Sequence, residues 1–468
     1  MRHRRGVPEL EERFGMESTI SYNNERRKKV HFLSPHHLGC WWKWMQTERW
    51  NVVFFLLLLG ALMVVLQWIA HDAGPPAIRW TTPTMMHTLL QYEPIRLPSD
   101  TYDVLRCPDI PPPGYPREYK ILEVLGNWSI PDVEPPQDGV RQIHQGICVF
   151  DYNNTSTEGT GLLEQTIDAY RKAEVPFVIR NDPAVLPSVH RWSDIRYLSN
   201  RLRGQRFEAT LANNTNHMRY FSISPEGHDV PYDFVPPTRF APMSFAEWYR
   251  RATLPTSARG ERAYLRVDAC LDEEDSGCDA TYLADQQHVA NGDFIYNDLP
   301  FFQPSHPSSR NYILPTVDPN SSSNATGTTP RGIQCRFGAP GMIAESHFDN
   351  ERNAIAMLGG ARRYLLGHPR NCPHMYLYPQ RHPFERHSQV NWSSVVHDFD
   401  STDHFPTFAQ TTVNEVVLMA GDVLYLPTYW FHHIVSLTVN AQCNTRSGYS
   451  VEYDQTIYDC GFLYDFPT

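Results

Sequence analysis

Val52 to Ala70 reads VVFFLLLLGALMVVLQWIA, nineteen residues without a charge. As a helix it spans roughly 29 Å, about the hydrocarbon thickness of a bilayer. Every face is apolar, which a helix on the surface of a globular domain does not tolerate. Trp41, Trp42, Trp44, Trp50 and Trp68 gather near the two ends, as interfacial anchors do. The run starts too late, is too long and lacks a clear small-residue cleavage site, which disfavours a cleaved signal peptide. The sequence therefore predicts a single transmembrane helix over 51–70. Arg26, Arg27, Lys28, Lys29, Lys43 and Arg49 precede it, whereas only Arg79 follows closely. The positive-inside rule makes residues 1–50 a cytosolic tail and puts the rest of the chain in a lumen. This is a type II arrangement, in the endoplasmic reticulum or Golgi.

Two features fit a lumenal body. Glycosylation sequons begin at Asn127, Asn153, Asn154, Asn213, Asn320, Asn324 and Asn391. Of nine cysteines only Cys40 precedes the span; the even number that remains permits a disulfide framework, with Cys270–Cys278 as a local pair. No C-x-x-C pair occurs to suggest a zinc site. Apolar residues at 41% suit a packed core, and 12% aromatics with 38 prolines favour strands and turns over a helical bundle. A net charge of −11 and the absence of a basic stripe argue against a nucleic-acid partner.

Residues 71–160 read as a Pro-rich stem and irregular N-terminal region, and 161–468 as the folded domain. LLEQTIDAYRKAEV has helical periodicity and PFVIRN reads as a strand. RWSDIRYLSNRL predicts a helix capped by Ser193, and MSFAEWYRRA one capped by Ser244 with Glu247 completing a capping box. DACLDEEDSGCDA reads as a solvated acidic insertion, and SSSNATGTT as a flexible one.

The chemistry lies between Gly341 and Ser447. GMIAESHFDNERN carries His347 and Asp349 at i and i+2, which share a face on extended chain. More than eighty residues later, GDVLYLPTYWFHHIVSL reads as a tight turn, a buried strand and a Pro stop, followed by His432 and His433. Two imidazoles and a carboxylate on one face of a metal leave the opposite positions open, the arrangement of non-haem Fe(II) oxygenases.

HFDNERN, the GGARR after it, YLYPQRHPFERHSQVNW and GDVLYLPTYWFHHI occur in the order found in the JmjC (cupin-like) 2-oxoglutarate oxygenases. The sequence resembles that family over about 110 residues, and within it is most similar to the asparaginyl hydroxylase that inhibits hypoxia-inducible factor. The resemblance implies a mainly β (α+β) fold: a double-stranded β-helix jelly roll with flanking helices. It also implies Fe(II) held by His347, Asp349 and His432, with 2-oxoglutarate as co-substrate. Arg362 takes the place of the family's lysine for the distal carboxylate, Tyr282 that of a family tyrosine (Tyr264 is the second choice), and Asn353 that of an asparagine near the metal. A family threonine is replaced by Ala344, and a last-strand asparagine falls on Ser447 or Asn444. Arg386 and His387 match positions that contact a peptide, which implies a polypeptide substrate.

Overall fold

The computed structural model describes residues 107–126, 145–154, 159–212, 218–223, 229–255, 260–269, 294–303, 312, 332–393 and 404–462. All of these lie in the compact unit Trp80–Thr468. The apolar run 51–70 lies outside the described residues, as do Tyr282, the acidic insertion and the Cys270–Cys278 pair. Among the described residues no helix is long and apolar enough to cross a membrane.

The strands are β1 (Tyr119–Lys120), β2 (Val149–Asp151), β3 (Phe177–Arg180), β4 (Phe207–Ala212), β5 (Thr238–Met243), β6 (Arg262–Ala269) and β7 (Ile333–Gly338). They continue with β8 (Ile343–His347), β9 (Asn353–Gly359), β10 (Ala361–Gly367), β11 (Thr412–Met419), β12 (Asp422–Leu426), β13 (Phe431–Ser436) and β14 (Asn440–Arg446). They form two sheets, ordered β1-β11-β10-β13-β8 and β2-β3-β12-β9-β14-β7-β6-β4-β5. The alternation between sheets along the chain, with antiparallel pairing throughout β7 to β14, makes a jelly roll.

Alternation along each strand decides what enters the space between the sheets. On β10, Tyr364 and Leu366 join Ile355, Met357, Leu424 and Trp430 in the inter-sheet core. Leu365, one position out of phase, packs on the outer face with Phe348, Val413 and Phe431, beneath α1 (Ile121–Gly126). Gly360, at φ +71° between β9 and β10, has no room for a Cβ, which would run into the Val439 carbonyl.

Helices α2 (Thr160–Lys172), α3 (Leu186–Trp192), α4 (Ile195–Arg201) and α5 (Phe245–Ala252) flank the larger sheet. A last helix, α6 (Asp454–Asp459), packs by the outer face of the smaller one. Trp192 and Trp248, both fully buried, close on Phe337 of β7. Ser244 caps α5 as expected, its hydroxyl accepting from the Glu247 N–H at 3.2 Å. Ser193, by contrast, does not open a helix: it ends α3, and the neighbouring Asp194 caps α4 through the Arg196 N–H at 2.9 Å. Either side chain suits an N-cap, and only the chain's turn after Trp192 selects the aspartate.

The sheets also take in residues upstream of 161. β1 pairs with β11, and β2 runs parallel to β3. Disulfides join Cys107 to Cys148, Cys335 to Cys443 and Cys372 to Cys460. Cys335 and Cys443 face each other in register on β7 and β14.

Candidate metal and co-substrate site

β8 and β13 pair at His347 and His432, which puts the two imidazoles side by side, ring centroids 4.2 Å apart. Phe348 turns to the outer core, so Asp349 comes back to the His347 side. The Asp349 carbonyl accepts from the Tyr429 N–H at 2.8 Å, tying this turn to the segment that leads into His432. Ligand atoms of His347, Asp349 and His432 lie within 4.8 Å of one another. His433 takes the opposite face, stacked on Trp392 at 5.1 Å.

Backbone carbonyls set the tautomers. His347 Nδ1 lies 2.7 Å from the Glu345 oxygen and His432 Nδ1 2.9 Å from the Trp430 oxygen. A carbonyl only accepts, so each Nδ1 carries the proton and each Nε2 keeps its lone pair for a metal. Burial lowers both imidazoles below the ordinary histidine value, which keeps them in the neutral, ligating form. Burial acts to raise the Asp349 carboxyl, but Arg446, His432, His347 and Arg386 together outweigh it and hold it well below the usual carboxylate range. Two neutral imidazoles and an ionised carboxylate suit Fe(II).

These groups open on a cavity of roughly 370 Å³ between the sheets, a size that suits a small co-substrate and one side chain. Arg362 reaches from β10 toward the wall of the larger sheet. It is 1% exposed; Nε donates to Asn440 Oδ1 at 2.6 Å, and Nη1 to Gln442 Oε1 at 2.6 Å and Tyr264 Oη at 3.0 Å. Its Nη2 is buried without a hydrogen-bond acceptor. Its described partners are therefore neutral, and one donor is left over, which fits an incoming carboxylate. Gly338 makes the approach possible: a Cβ there would meet Ser436 Oγ at 2.7 Å and the Asn440 side chain at 3.1 Å. The next residue, Arg363, faces the other way and is neutralised by Glu415 at 2.5 Å.

Asn353 Oδ1 accepts from Asn444 Nδ2 at 3.0 Å. Both line the cavity, as does Ala344, and of the two last-strand candidates Asn444 is the one placed there. Tyr264, the second choice for the family tyrosine, accepts from Arg362, while Tyr282, the first choice, lies outside the described residues. Arg386 and His387 sit beside the triad: His387 stacks on His347 at 4.8 Å, and Arg386 Nη1 lies 3.8 Å from Asp349 Oδ1. Arg386 holds φ +69°, a strained conformation for a side chain of this kind. Burial and the adjacent Arg386 push His387 down to about 4.

Sequence reasoning passed over Arg446, whose Nη2 is 3.2 Å from Asp349 Oδ2, and Gln442, which bridges Arg362 and Tyr364 Oη. A signal existed. Asn440, Gln442, Asn444 and Arg446 alternate through NAQCNTR, which marks one polar face of a buried strand.

The chain matches the Cupin-like domain family over residues 163–452, more than half its length, and belongs to that family. It is 31% identical over 102 residues to tRNA wybutosine-synthesizing protein 5 of Mus musculus, covering 22% of this chain and 29% of that protein. HSPB1-associated protein 1 of Rattus norvegicus is 32% identical over 102 residues, 22% of this chain and 20% of the relative. Lysine-specific demethylase 8 of Xenopus tropicalis is 27% identical over 108 residues, 23% of each. The aligned stretches span less than a third of each of these relatives.

Proposed function

We propose that this protein is a membrane-anchored, lumenal Fe(II)- and 2-oxoglutarate-dependent dioxygenase that hydroxylates a protein side chain. The observation that carries the reading is one cavity lined by the donor set of His347, Asp349 and His432 together with a buried arginine, Arg362, hydrogen-bonded to its lining residues Tyr264 and Gln442 and having neutral described partners. In balance, a substrate C–H, O₂ and 2-oxoglutarate give C–OH, succinate and CO₂, one oxygen atom going to each organic product. Bound iron supplies the redox chemistry that activates O₂. The protein's own groups do the positioning. His347 and His432 present fixed Nε2 atoms, and Asp349 stays ionised. Arg362, with Tyr264, orients the distal carboxylate, while Asn353 and Asn444 present amides near the metal. Arg386 and His387 stand next to the triad, where a polypeptide would be oriented.

The uncharged run 51–70 and its flanking charges support the anchor and the orientation. Asn153, Asn154 and Asn391 of the sequons are exposed. The purified full chain with Fe(II), 2-oxoglutarate and peptides from secretory proteins is expected to form succinate, and the products to gain 16 mass units, the mass of one oxygen atom. No succinate above a His347→Ala control overturns the reading. Glycosidase treatment of intact and lysed microsomes tests the topology: removal of glycans only after lysis is expected, and a protease-accessible C-terminal region in intact vesicles reverses it. A second reading, a non-catalytic binding module, draws on Ala344 and on the Arg446–Asp349 ion pair; the succinate assay separates the two.

A further inference from the structure

Gln442 stands on the polar face of β14, 5% exposed, and lines the cavity. The two ends of its amide have different fates. Arg362 and Tyr364, two apart on β10 and so on one face, reach across the inter-sheet space to the same atom. Arg362 Nη1 lies 2.6 Å and Tyr364 Oη 2.5 Å from Gln442 Oε1. A guanidinium only donates, so the atom it meets is the carbonyl oxygen and never the amide nitrogen. Burial raises the Tyr364 phenol above its ordinary value, so it too keeps a proton to donate. The amide is thereby oriented by two donors from the smaller sheet. Its oxygen is spent, and among the described residues nothing accepts from its Nε2.

Tyr264 repeats the pattern from β6. Its oxygen accepts from Arg362 Nη1, it lines the cavity, and among the described residues its own O–H proton has no acceptor. Arg362 Nη2 is buried without an acceptor as well. Three unspent donors therefore gather around one guanidinium whose described partners are all neutral. Leaving buried donors unmatched is costly, which points to a ligand. The ligand that suits them accepts at more than one point and brings no donor of its own. A water or a carboxamide turns its own hydrogens on these donors, whereas a carboxylate brings only acceptors and the charge that Arg362 lacks. Ala344, on the same cavity, has no polar side-chain atom to offer, so the added donors come from the larger sheet.

We propose that Gln442 is a specificity-determining residue of the co-substrate site: its N–H₂ donates to the distal carboxylate of the 2-oxo acid, beside Tyr264 and Arg362. This rests on the oxygenase reading above and adds the residue that makes the site select a dicarboxylate. Arg362 then has a second task, as a positioning residue that holds the Gln442 oxygen and so aims the nitrogen.

The test uses the full chain loaded with Mn(II), a redox-silent substitute, titrated calorimetrically with 2-oxoglutarate and with 2-oxopentanoate, which has the same chelating end and a methyl group in place of the distal carboxylate. Gln442→Met removes the donor and the acceptor; Gln442→Glu keeps oxygens for Arg362 and Tyr364 but removes the donor. Gln442→Met is expected to weaken 2-oxoglutarate about tenfold, the scale of one hydrogen bond to a charged group, and Gln442→Glu at least as much. The Kd values for Mn(II) and for 2-oxopentanoate are expected to stay parental. Gln442→Glu is the safer variant for folding, because its carboxylate pairs with Arg362. With glutamines isotope-labelled at the side-chain nitrogen, the amide signals that Gln442→Glu lacks are expected to shift on adding 2-oxoglutarate and to stay in place on adding 2-oxopentanoate. Parental 2-oxoglutarate affinity in either variant, equal losses for both 2-oxo acids, or amide signals that ignore 2-oxoglutarate overturns the proposal. Recovery in Gln442→Glu of what Gln442→Met loses also overturns it, since Gln442 would then only support Arg362. A parent that binds Mn(II) but no 2-oxoglutarate overturns the oxygenase reading and this proposal together, a result distinct from all of these.

Discussion

Arg362 and Arg363 are neighbours in sequence, equally buried and opposite in environment, which makes their comparison a sharp test. Arg362→Ala removes a guanidinium whose described partners are Asn440, Gln442 and Tyr264 and whose Nη2 has no acceptor. A carboxylate placed there makes charge-assisted hydrogen bonds, and losing one costs about 1.5–3 kcal/mol, or about ten- to a hundred-fold in Kd for 2-oxoglutarate. Metal affinity should stay parental, since the triad lies on other strands. Folding stability should fall by about 1–3 kcal/mol for polar groups left unmatched. Arg363→Ala removes the cation of a fully buried ion pair with Glu415. That variant should lose about 3–5 kcal/mol of stability, yet whatever remains folded should bind 2-oxoglutarate like the parent. Calorimetric titration with Mn(II) present, alongside urea unfolding, measures both quantities. A folded Arg362→Ala with parental 2-oxoglutarate affinity refutes the reasoning, as does an equal loss in Arg363→Ala.

His347→Ala, Asp349→Ala and His432→Ala should each abolish stoichiometric Fe(II) binding in equilibrium dialysis, whereas His433→Ala should retain it; the reverse result for the two adjacent histidines would put the ligand on the other face. Mass spectrometry of non-reduced digests should recover Cys107–Cys148, Cys335–Cys443 and Cys372–Cys460 as cross-linked peptides, each worth about 2–5 kcal/mol; full alkylation without reductant would exclude them. His368, lowered to about 4 mainly by burial, is neutral when folded and accepts a backbone N–H from Arg370. Its folded pKa is below the unfolded value of about 6.5, so its share of stability is present above pH 6.5 and is lost as pH falls toward 4, at most about 3 kcal/mol. His368→Gln should flatten that part of the stability profile, and an unchanged slope between pH 4 and 6.5 would show that another group sets it.

The strands nearest the triad were the most legible part of the sequence. GDVLYLP announces its own turn and burial, and the i, i+2 spacing of His347 and Asp349 needs only extended chain to converge. The choice between His432 and His433 lay beyond periodicity, because both are buried; it depends on which residue of β13 faces β8's His347, a matter of register. Arg446 was harder. Arginines on buried strands read as surface residues until the neighbouring strand supplies a carboxylate, and cross-strand partners carry no mark in sequence. The helix at Ile195 was misread by one residue because serine and aspartate cap equally well.

The Cys335–Cys443 bond closes a ring around 108 residues of sequence, and His347, Asp349, Arg362, Arg386, His387 and His432 all lie within it. The two strands it staples turn their alternate residues, Gln334 and Arg336 on one and Gln442 and Asn444 on the other, toward the cavity. A protease that nicks the chain once anywhere inside this ring therefore cannot separate the halves of the site. The nicked protein stays one covalent body until a reductant opens it, so under oxidising conditions the chemistry-bearing segment outlasts breaks in its own backbone.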